Sequence, residues 1–217
     1  MEIHYLSENN SVLNHFLSQI RNIKVQNDSM RFRRNIERIG EIMAYEMSKS
    51  LSYKAIEIQT PLGVKKTTEI ADQLVLCSIL RAGLTLHQGF LNYFDNAENG
   101  FISAYRHHPN HDADFDILVE YQAIADINNK NVFLLDPMLA TGQSIVAVFN
   151  KLMERGTPKE IHIAVIIAAP EGISYLKKHL PDTCHLWIAS LDEKLNDKSY
   201  IIPGLGDAGD LAYGNKL

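Results

Sequence analysis

The chain has 217 residues and a formal net charge of -5, with 46% hydrophobic and 22% charged residues. These values predict a globular protein with one domain spanning residues 1–217. The acidic balance disfavours broad binding to nucleic acid or anionic membranes, which favour a basic surface. No apolar run reaches the roughly 18 residues of a membrane span, and no secretory leader pattern opens the sequence. Because Cys77 and Cys184 lie in apolar runs that predict buried, inert thiols, we expect a cytoplasmic protein.

Residues 1–50 predict two helices. Apolar residues recur at helical spacing from Val12 to Ile20, and a longer helix begins near Asp28 or Ser29, either of which can cap it. The side of the longer helix opposite its apolar stripe carries four arginines, Arg31, Arg33, Arg34 and Arg38. A solvated helix face is the favoured interpretation of such a run. An interface or an anion-binding effector site is the alternative.

The next segments predict a strand at residues 56–60, a turn at Pro61–Gly63 and a second, buried strand at Leu74–Leu80. The second strand runs directly into Arg81 and then into a helix. An arginine at a strand tip before a helix is well placed to bind a pyrophosphate through charge-assisted hydrogen bonds. Considered alone, an ordinary surface arginine remains the favoured interpretation.

A hairpin flap is predicted over residues 101–122. A strand at Phe101–Tyr105 ends in Arg106, a polar segment follows, and strand character resumes at Ile117–Tyr121. The polar segment contains three histidines, His107, His108 and His111. Because their spacing fits no established metal-ligand pattern, a metal site is disfavoured there.

The most informative stretch is residues 130–156. Asn131–Leu135 is nearly continuously apolar, as in a strand buried on both faces of a parallel sheet, and Asp136 and Pro137 end it. A loop, Met138–Ser144, leads into a helix whose apolar face begins at Ile145. Gly156 is predicted as the C-terminal cap of that helix.

This strand–loop–helix unit predicts an anion site, because the N–H groups at a helix start carry partial positive charge. Thr141 and Ser144 add hydroxyl groups, and Gly142 permits close approach of a phosphate. The loop matches neither the lysine-containing P-loop nor the GxGxxG fingerprint. Asp136 at the strand tip could accept hydrogen bonds from two ribose hydroxyls. Together these features indicate a site for a ribose 5-phosphate.

The remaining pattern alternates strands and helices: a strand at 161–168, a helix from Pro170 to His179 and a strand at 185–190. Alternation of this kind predicts an α/β protein with a mostly parallel sheet and right-handed crossovers. Ligands of such sheets bind at the carboxyl ends of the strands, where Arg81, Arg106 and Asp136 are all expected.

The C-terminal segment, residues 196–214, contains three glycines and a proline between Ile202 and Gly209, so regular helix or strand is not expected there. Composition alone favours a solvated tail. Alternatively, its unshielded backbone N–H and C=O groups could read the acceptor–donor–acceptor edge of a base such as uracil.

Several motifs in order along the chain resemble the type I phosphoribosyltransferases, and within them the uracil phosphoribosyltransferase branch. They are ILRAG at 79–83, Tyr105-Arg106, DPMLATGQS at 136–144, AAPEG at 168–172 and YIIPGLGDAGD at 200–210. The resemblance implies a parallel sheet flanked by helices, a flexible flap and a small hood that includes residues 196–214. It also implies the pyrimidine-salvage reaction of uracil with 5-phosphoribosyl-1-pyrophosphate (PRPP), which yields UMP and pyrophosphate.

The resemblance further implies roles for particular residues. Catalysis is assigned to Arg81, Arg106, Asp136 and Asp207. The same four residues would bind PRPP together with Pro137, Met138, Leu139, Ala140, Thr141, Gly142, Gln143 and Ser144. Uracil would contact Tyr200, Ile201, Gly206, Asp207 and Ala208. Mg²⁺ would be held mainly through PRPP oxygens, with no dedicated protein ligand.

The sequence departs from the family pattern at four places. Histidines follow Arg106 where acidic residues are usual, Pro137 replaces a second acidic residue, Gln143 replaces a glycine, and Leu211 replaces an arginine. Gln143 fits the usual loop only if its φ is negative, since a positive φ costs about 1 kcal/mol or more.

Three alternatives therefore stay open: a catalytically silent PRPP- or nucleotide-binding regulator, a transferase for another base, and an RNA-binding regulator, which the charge disfavours. Relatives commonly form dimers or larger assemblies, and some are activated by GTP. The sequence settles neither for this chain, and it identifies no general base.

Overall fold

The computed structural model describes residues 1–107 and 116–215, and it leaves the side chains of 105–107 and 116–117 undescribed. Six helices are observed in these residues: α1 (Val12–Arg21), α2 (Ser29–Ser48), α3 (Gly83–Leu91), α4 (Gln143–Met153), α5 (Pro170–His179) and α6 (Ala208–Tyr213). The strands are β1 (Glu2–Tyr5), β2 (Tyr53–Thr60), β3 (Gly63–Ile70), β4 (Leu74–Leu80), β5 (Glu98–His107), β6 (Asp116–Ala123), β7 (Asn131–Leu135), β8 (Met138–Leu139), β9 (Glu160–Ala168), β10 (Cys184–Leu191), β11 (Lys194–Leu195) and β12 (Ile201–Ile202).

The central sheet has the strand order β1-β10-β9-β7-β4-β5-β6, and β8 adds a short second pairing with β9. All pairs in it are parallel except β5 with β6. The predicted α/β fold with a mostly parallel sheet is therefore confirmed. Its middle strands are buried along their whole length, which explains why their sequences are continuous apolar runs.

The two faces of the sheet support separate cores. Alternate side chains of a strand point to opposite faces, so Phe133 contributes to one core while Val132 and Leu134 contribute to the other. Helices α1, α2, α3 and α6 pack over the first face, and α4 and α5 pack over the second. The result is a three-layer arrangement with the sheet in the middle.

The N-terminal helices form as their sequence predicts. Asp28 caps α2 by accepting a hydrogen bond from the backbone N–H of Arg31 at 3.0 Å. The arginine side of α2 is engaged within the chain at several points. Arg34 pairs with Glu37 at 2.7 Å, and Arg33 donates to the carbonyl of Ala212 at 2.6 Å. This second contact ties α2 to the C-terminal helix.

Several local predictions are wrong. Gly156 is not a helix cap, because α4 ends at Met153 and is capped at Glu154. A Cβ at Gly156 would lie 2.7 Å from the Asn128 side-chain oxygen. The close approach of the Asn128 side chain is therefore the reason that a glycine fits this position. Regular structure also occurs in the C-terminal segment, as β12 and α6. Strands β1, β3 and β8 have no counterpart among the predicted elements.

The antiparallel pairing of β5 with β6 forms the predicted flap hairpin, although residues 108–115 at its tip lie outside the described residues. Cys77 and Cys184 are both buried and unpaired, as expected. Burial raises the pKa of Cys77 to about 12 and that of Cys184 to about 11. Across 1–107 and 116–215, none of the helices has the length and apolar character needed to cross a membrane.

Candidate active site

A cavity of about 560 Å³ opens at the carboxyl ends of β4 and β7. Four segments that are distant in sequence line it: residues 79–82 at the end of β4, Ala104 of β5, the loop and first turn of α4 between 136 and 145, and the C-terminal segment between 199 and 209. Every lining residue of the first and third segments comes from a motif identified in the sequence or its immediate neighbour. The cavity therefore brings the predicted phosphate loop and the predicted base loop together.

The wall formed by the 136–145 loop contains the N-terminus of α4. Gly142 adopts φ of +83° at the N-cap position, a conformation that glycine adopts without strain, and no side chain caps the helix. The first N–H groups of a helix have no acceptor within the helix, so they are available to an anion here. Thr141, Gly142, Ser144 and Ile145 line the cavity beside them.

Two members of the predicted phosphate loop do not line the cavity. Pro137 is buried in the turn after β7, and Gln143 is the first residue of α4. Gln143 is not among the residues with positive φ, so the strained alternative for this position does not occur. The positive φ is at Gly142 instead, so Gln143 imposes no backbone strain on the loop.

Helix α5 supports the phosphate loop from behind. Gly172 lies so close to the loop that a Cβ there would overlap the carbonyl oxygen of Ala140 and lie 2.9 Å from the Leu139 side chain. A Cβ on Gly142 would also meet the Gly172 carbonyl at 3.1 Å. The glycine of the AAPEG string thus permits the close packing that fixes the loop.

Asp136 lines the cavity directly after β7 and is partly buried. Burial is the main reason that its pKa is raised to about 7, and the nearby charge of Asp207 raises it further. A hydrogen bond of 3.2 Å from the Met138 N–H to Asp136 Oδ1 lowers this pKa. The cavity thus holds two carboxyl groups close enough to influence one another.

Arg81 lines the cavity, and its guanidinium is also bound to the C-terminal segment. Nη2 donates to Asp210 Oδ1 at 2.6 Å and to the carbonyl of Gly214 at 2.7 Å. Its Nε is buried and has no hydrogen-bond partner among the described residues.

The C-terminal segment folds over the cavity through two short elements. Strand β12 pairs with β11, and α6 begins after Asp207, whose carboxylate accepts from the Asp210 N–H at 2.9 Å. Between these elements Gly204 and Gly206 adopt φ of +63° and +95°. Tyr200, Ile201, Gly206, Asp207 and Ala208, the predicted uracil residues, all line the cavity.

A polar cluster that the sequence did not reveal holds this segment in place. Arg21 donates to both oxygens of Asp192, at 2.8 and 2.5 Å, and to the carbonyl of Gly204 at 2.9 Å. Asp192 in turn accepts from the Gly204 N–H at 2.8 Å, and Gln26 donates to the carbonyl of Leu205 at 2.8 Å. No local pattern marks Arg21 or Asp192, since 171 residues separate them.

Arg106 is placed only by its backbone, which pairs with Ile117 in the β5–β6 hairpin. Its side chain is outside the described part of the structure, as are residues 108–115 with His108 and His111. The role inferred for Arg106 therefore stays a prediction.

Among the described residues, the candidate metal ligands that line the cavity are oxygen donors. Within 1–107 and 116–215, the groups of three or more candidate metal ligands lie elsewhere, around His185. The cavity itself supplies the carboxylates of Asp136 and Asp207. Mg²⁺ is commonly held by one or two carboxylates together with water and substrate phosphates, so this donor set fits a hydrated Mg²⁺.

The fold is that of the type I phosphoribosyltransferases. A solved hypoxanthine phosphoribosyltransferase from Staphylococcus aureus superposes with a TM-score of 0.50 at 14% identity, covering 88% of this chain and 84% of that one. The AQ2163 protein from Aquifex aeolicus superposes with a TM-score of 0.86 at 29% identity, covering 98% of both chains.

Sequence comparison narrows the class. The uracil phosphoribosyltransferase family model matches residues 7–215. A uracil phosphoribosyltransferase of Porphyromonas gingivalis is 49% identical over 217 residues, the full length of both chains. The chain belongs to the uracil phosphoribosyltransferase family.

Proposed function

We propose that the protein transfers the 5-phosphoribosyl group of PRPP to uracil, producing UMP and pyrophosphate in pyrimidine salvage. The observation that carries this proposal is the single cavity lined by both the 136–145 loop and the 199–209 segment. A transfer reaction needs its two substrates side by side, and in this proposal the cavity would bind the phosphate groups and the base within one volume. The protein's family membership supports the same activity.

PRPP would bind with its 5-phosphate at the N-terminus of α4, where uncapped N–H groups and the hydroxyls of Thr141 and Ser144 converge. Asp136 would accept hydrogen bonds from the ribose hydroxyls. Because its pKa is raised to about 7, the ionised form that accepts best is only partly populated at neutral pH before substrate binds. Two hydroxyl donors would stabilise that form.

The pyrophosphate would lie against the guanidinium of Arg81, which lines the cavity. Cleavage at the anomeric carbon places negative charge on the departing pyrophosphate, and a fixed guanidinium stabilises that charge. Arg106, from the flap, is the second arginine in this proposal. The remaining catalytic contribution is orientation of the uracil nitrogen toward the anomeric carbon.

Uracil would be read by the backbone of Ile201, Gly206 and Ala208, with Tyr200 beside the ribose and Asp207 at the junction with PRPP. Uracil presents an acceptor, a donor and a second acceptor along one edge. Cytosine would place an amino group where a carbonyl is expected, leaving buried donors facing each other. Mismatches of this kind are rejected more strongly than differences in size.

Mg²⁺ is proposed as the cofactor, held mainly through PRPP with the Asp136 and Asp207 carboxylates nearby. When bound, it would neutralise phosphate charge. We expect a cytoplasmic enzyme, in agreement with two unpaired cysteines. GTP activation is proposed only as a property to test, because no described feature identifies an effector site.

The test is UMP formation from labelled uracil, PRPP and Mg²⁺, with cytosine, hypoxanthine and adenine in parallel. Two variants, one at Arg81 and one at its partner Asp210, test the role of the arginine. Arg81→Ala should lower kcat/KM by about 10² to 10³, the cost of losing a charged donor in a catalytic site. Asp210→Asn removes only the partly exposed ion pair, so it should change kcat/KM by less than about tenfold. Equal losses in both variants would show that Arg81 only anchors the C-terminus.

The alternatives predict different results. Turnover of another base would retain the phosphate site and refute the base assignment to residues 200–208. PRPP binding without turnover, with and without GTP, would support the silent regulatory protein. Gln143→Gly should leave the rate of an active enzyme nearly unchanged, because Gln143 has negative φ and does not line the cavity.

A further inference from the structure

Histidines cluster at the end of the sheet opposite the cavity. His185 lies near the start of β10, and its register partners are Glu2 of β1 and His162 of β9. Two residues further along the same two strands, His4 is the register partner of Trp187. Side chains two residues apart on a strand share a face, so Glu2, His4, His185 and Trp187 lie together on one face. The reaction proposed above uses none of them.

Stacking fixes the orientation of the two outer imidazoles. His4 stacks on Trp187 with ring centroids 3.8 Å apart and an interplanar angle of 14°. His185 stacks on His162 at 4.7 Å and 13°. Rings held in this way lose little rotational freedom when they bind a ligand, which favours binding.

The nitrogens of these two rings face the same carboxylate. His4 Nε2 lies 3.7 Å from Glu2 Oε1, and His185 Nδ1 lies 3.4 Å from Glu2 Oε2. Both nitrogens are buried and have no hydrogen-bond partner among the described residues. The three ligand atoms lie within 4.8 Å of one another. Ligands around a tetrahedral ion with bonds of about 2.1 Å are roughly 3.4 Å apart. The two distances from the imidazole nitrogens to the carboxylate oxygens, 3.7 and 3.4 Å, are close to that value.

His162 packs against this cluster but is not one of its candidate metal ligands. Its Nδ1 accepts a hydrogen bond from the Trp187 indole N–H at 3.2 Å. A neutral imidazole that accepts at Nδ1 carries its proton on Nε2, where Glu160 lies 3.3 Å away. Neither nitrogen then has a lone pair to offer an ion.

We propose that Glu2, His4 and His185 form a site for a divalent transition metal such as Zn²⁺. Two imidazoles and one carboxylate are a donor set that suits Zn²⁺, Co²⁺ and Ni²⁺ better than Mg²⁺. The Glu2 side chain is 64% exposed, so water can complete the coordination from the solvent side. The ion would cross-link the edge strand β1 to β10, and its role would be structural.

The test measures binding of Zn²⁺ and Co²⁺ to the full chain by isothermal titration and visible absorption. It is performed in a His107→Gln/His108→Gln/His111→Gln background, which removes the other group of neighbouring histidines. We expect one ion per chain with a tetrahedral or five-coordinate Co²⁺ spectrum. At a hundredfold excess over Kd, the unfolding midpoint should rise by roughly 5–10 °C.

Single variants assign the ligands. His4→Gln, His185→Gln and the exposed Glu2→Gln should each weaken Zn²⁺ binding at least about tenfold, while the exposed His15→Gln should not change it. Circular dichroism of the apo variants verifies that they fold, and Glu2→Gln retains both stacked rings. Absence of one-to-one binding in the background protein, or an affinity unchanged by His185→Gln or Glu2→Gln, would overturn the proposal.

Discussion

Asp136 illustrates how one residue carries a conflict between stability and function. Its carboxyl group is held in the cavity where burial and the charge of Asp207 disfavour ionisation. Its proposed role in binding ribose nevertheless requires acceptor oxygens at that position. Residues of this kind lower the stability of the folded protein, and their removal commonly raises it.

The first prediction concerns Asp136→Asn. Between about pH 4 and pH 7 the folded protein retains a proton that the unfolded chain has released, so this carboxyl group lowers the free energy of unfolding as pH rises. The variant should therefore be more stable than the wild type by up to about 4 kcal/mol at pH 8, and by much less at pH 4. Urea unfolding at the two pH values measures the difference.

Asp197→Asn is the matched control, because Asp197 is exposed and its replacement should leave stability unchanged at both pH values. The same Asp136→Asn preparation should have lost most UMP synthesis. A variant that is destabilised at pH 8, or stabilised equally at both pH values, would contradict a raised pKa at Asp136.

At the scale of elements, the crossing of α2 and α3 determines how closely these helices approach. Gly40 and Gly89 face each other there. A Cβ on Gly40 would lie 2.8 Å from the Leu86 carbonyl oxygen. A Cβ on Gly89 would overlap the Glu37 carbonyl oxygen and lie 2.9 Å from the Gly40 Cα. Since α3 begins beside Arg81, this crossing also fixes one side of the cavity.

The second prediction concerns Gly89→Ala. Helix propensity alone would make alanine stabilising by about 1 kcal/mol. The overlap with the backbone of α2 should outweigh that gain, because overpacking a close contact costs roughly 1–3 kcal/mol or more. We expect a net loss of about 2 kcal/mol and a midpoint lower by roughly 4–8 °C.

Gln88→Ala, at the neighbouring exposed position of α3, is the control and should change the midpoint by less than about 2 °C. Differential scanning calorimetry compares the three proteins. A Gly89→Ala protein as stable as the wild type would show that α2 and α3 can separate without cost, contrary to the close packing described above.

At the scale of the whole molecule, the β2–β3 hairpin stands apart from the rest. Almost every residue in it is exposed, including Ile58 at 43% and Leu62, at its tip, at 100%. Exposed apolar side chains on a two-stranded hairpin are a liability in an isolated chain, since such hairpins are only marginally stable alone. This observation supports the expectation that the chain forms a dimer or a larger assembly.

The third prediction is that the hairpin contributes to self-association. Ile58→Asp/Leu62→Asp should shift the protein to a smaller species, because a charge buried in an apolar contact is costly. Thr68→Asp places the same charge on the other face of the hairpin and should have a smaller effect. Sedimentation velocity at several concentrations measures both. An unchanged mass distribution for the double variant would place the interface elsewhere.

Hydrophobic pattern alone predicts the buried central strands and the residues that follow them. Buried strands such as Asn131–Leu135 are apolar throughout, and the residues that follow them can reach a ligand only at the carboxyl edge of a parallel sheet. Position at a strand end and before a helix marks Asp136 and Thr141, whereas Arg81 is marked by the resemblance of its ILRAG motif, and all three line the cavity. The predicted role of each is a proposal for experiment.

Contacts between groups far apart in the chain are seen only in the folded protein. The Arg21–Asp192 pair that holds Gly204, the Arg81–Asp210 contact and the effect of Asp207 on Asp136 all join segments far apart in the chain. Strand β1 was missed because its four residues become a strand only by pairing with β10. Local sequence patterns indicate the conformation of residues that are neighbours in the chain. The contacts named above depend instead on how the sheet and helices pack, and no short motif specifies that packing.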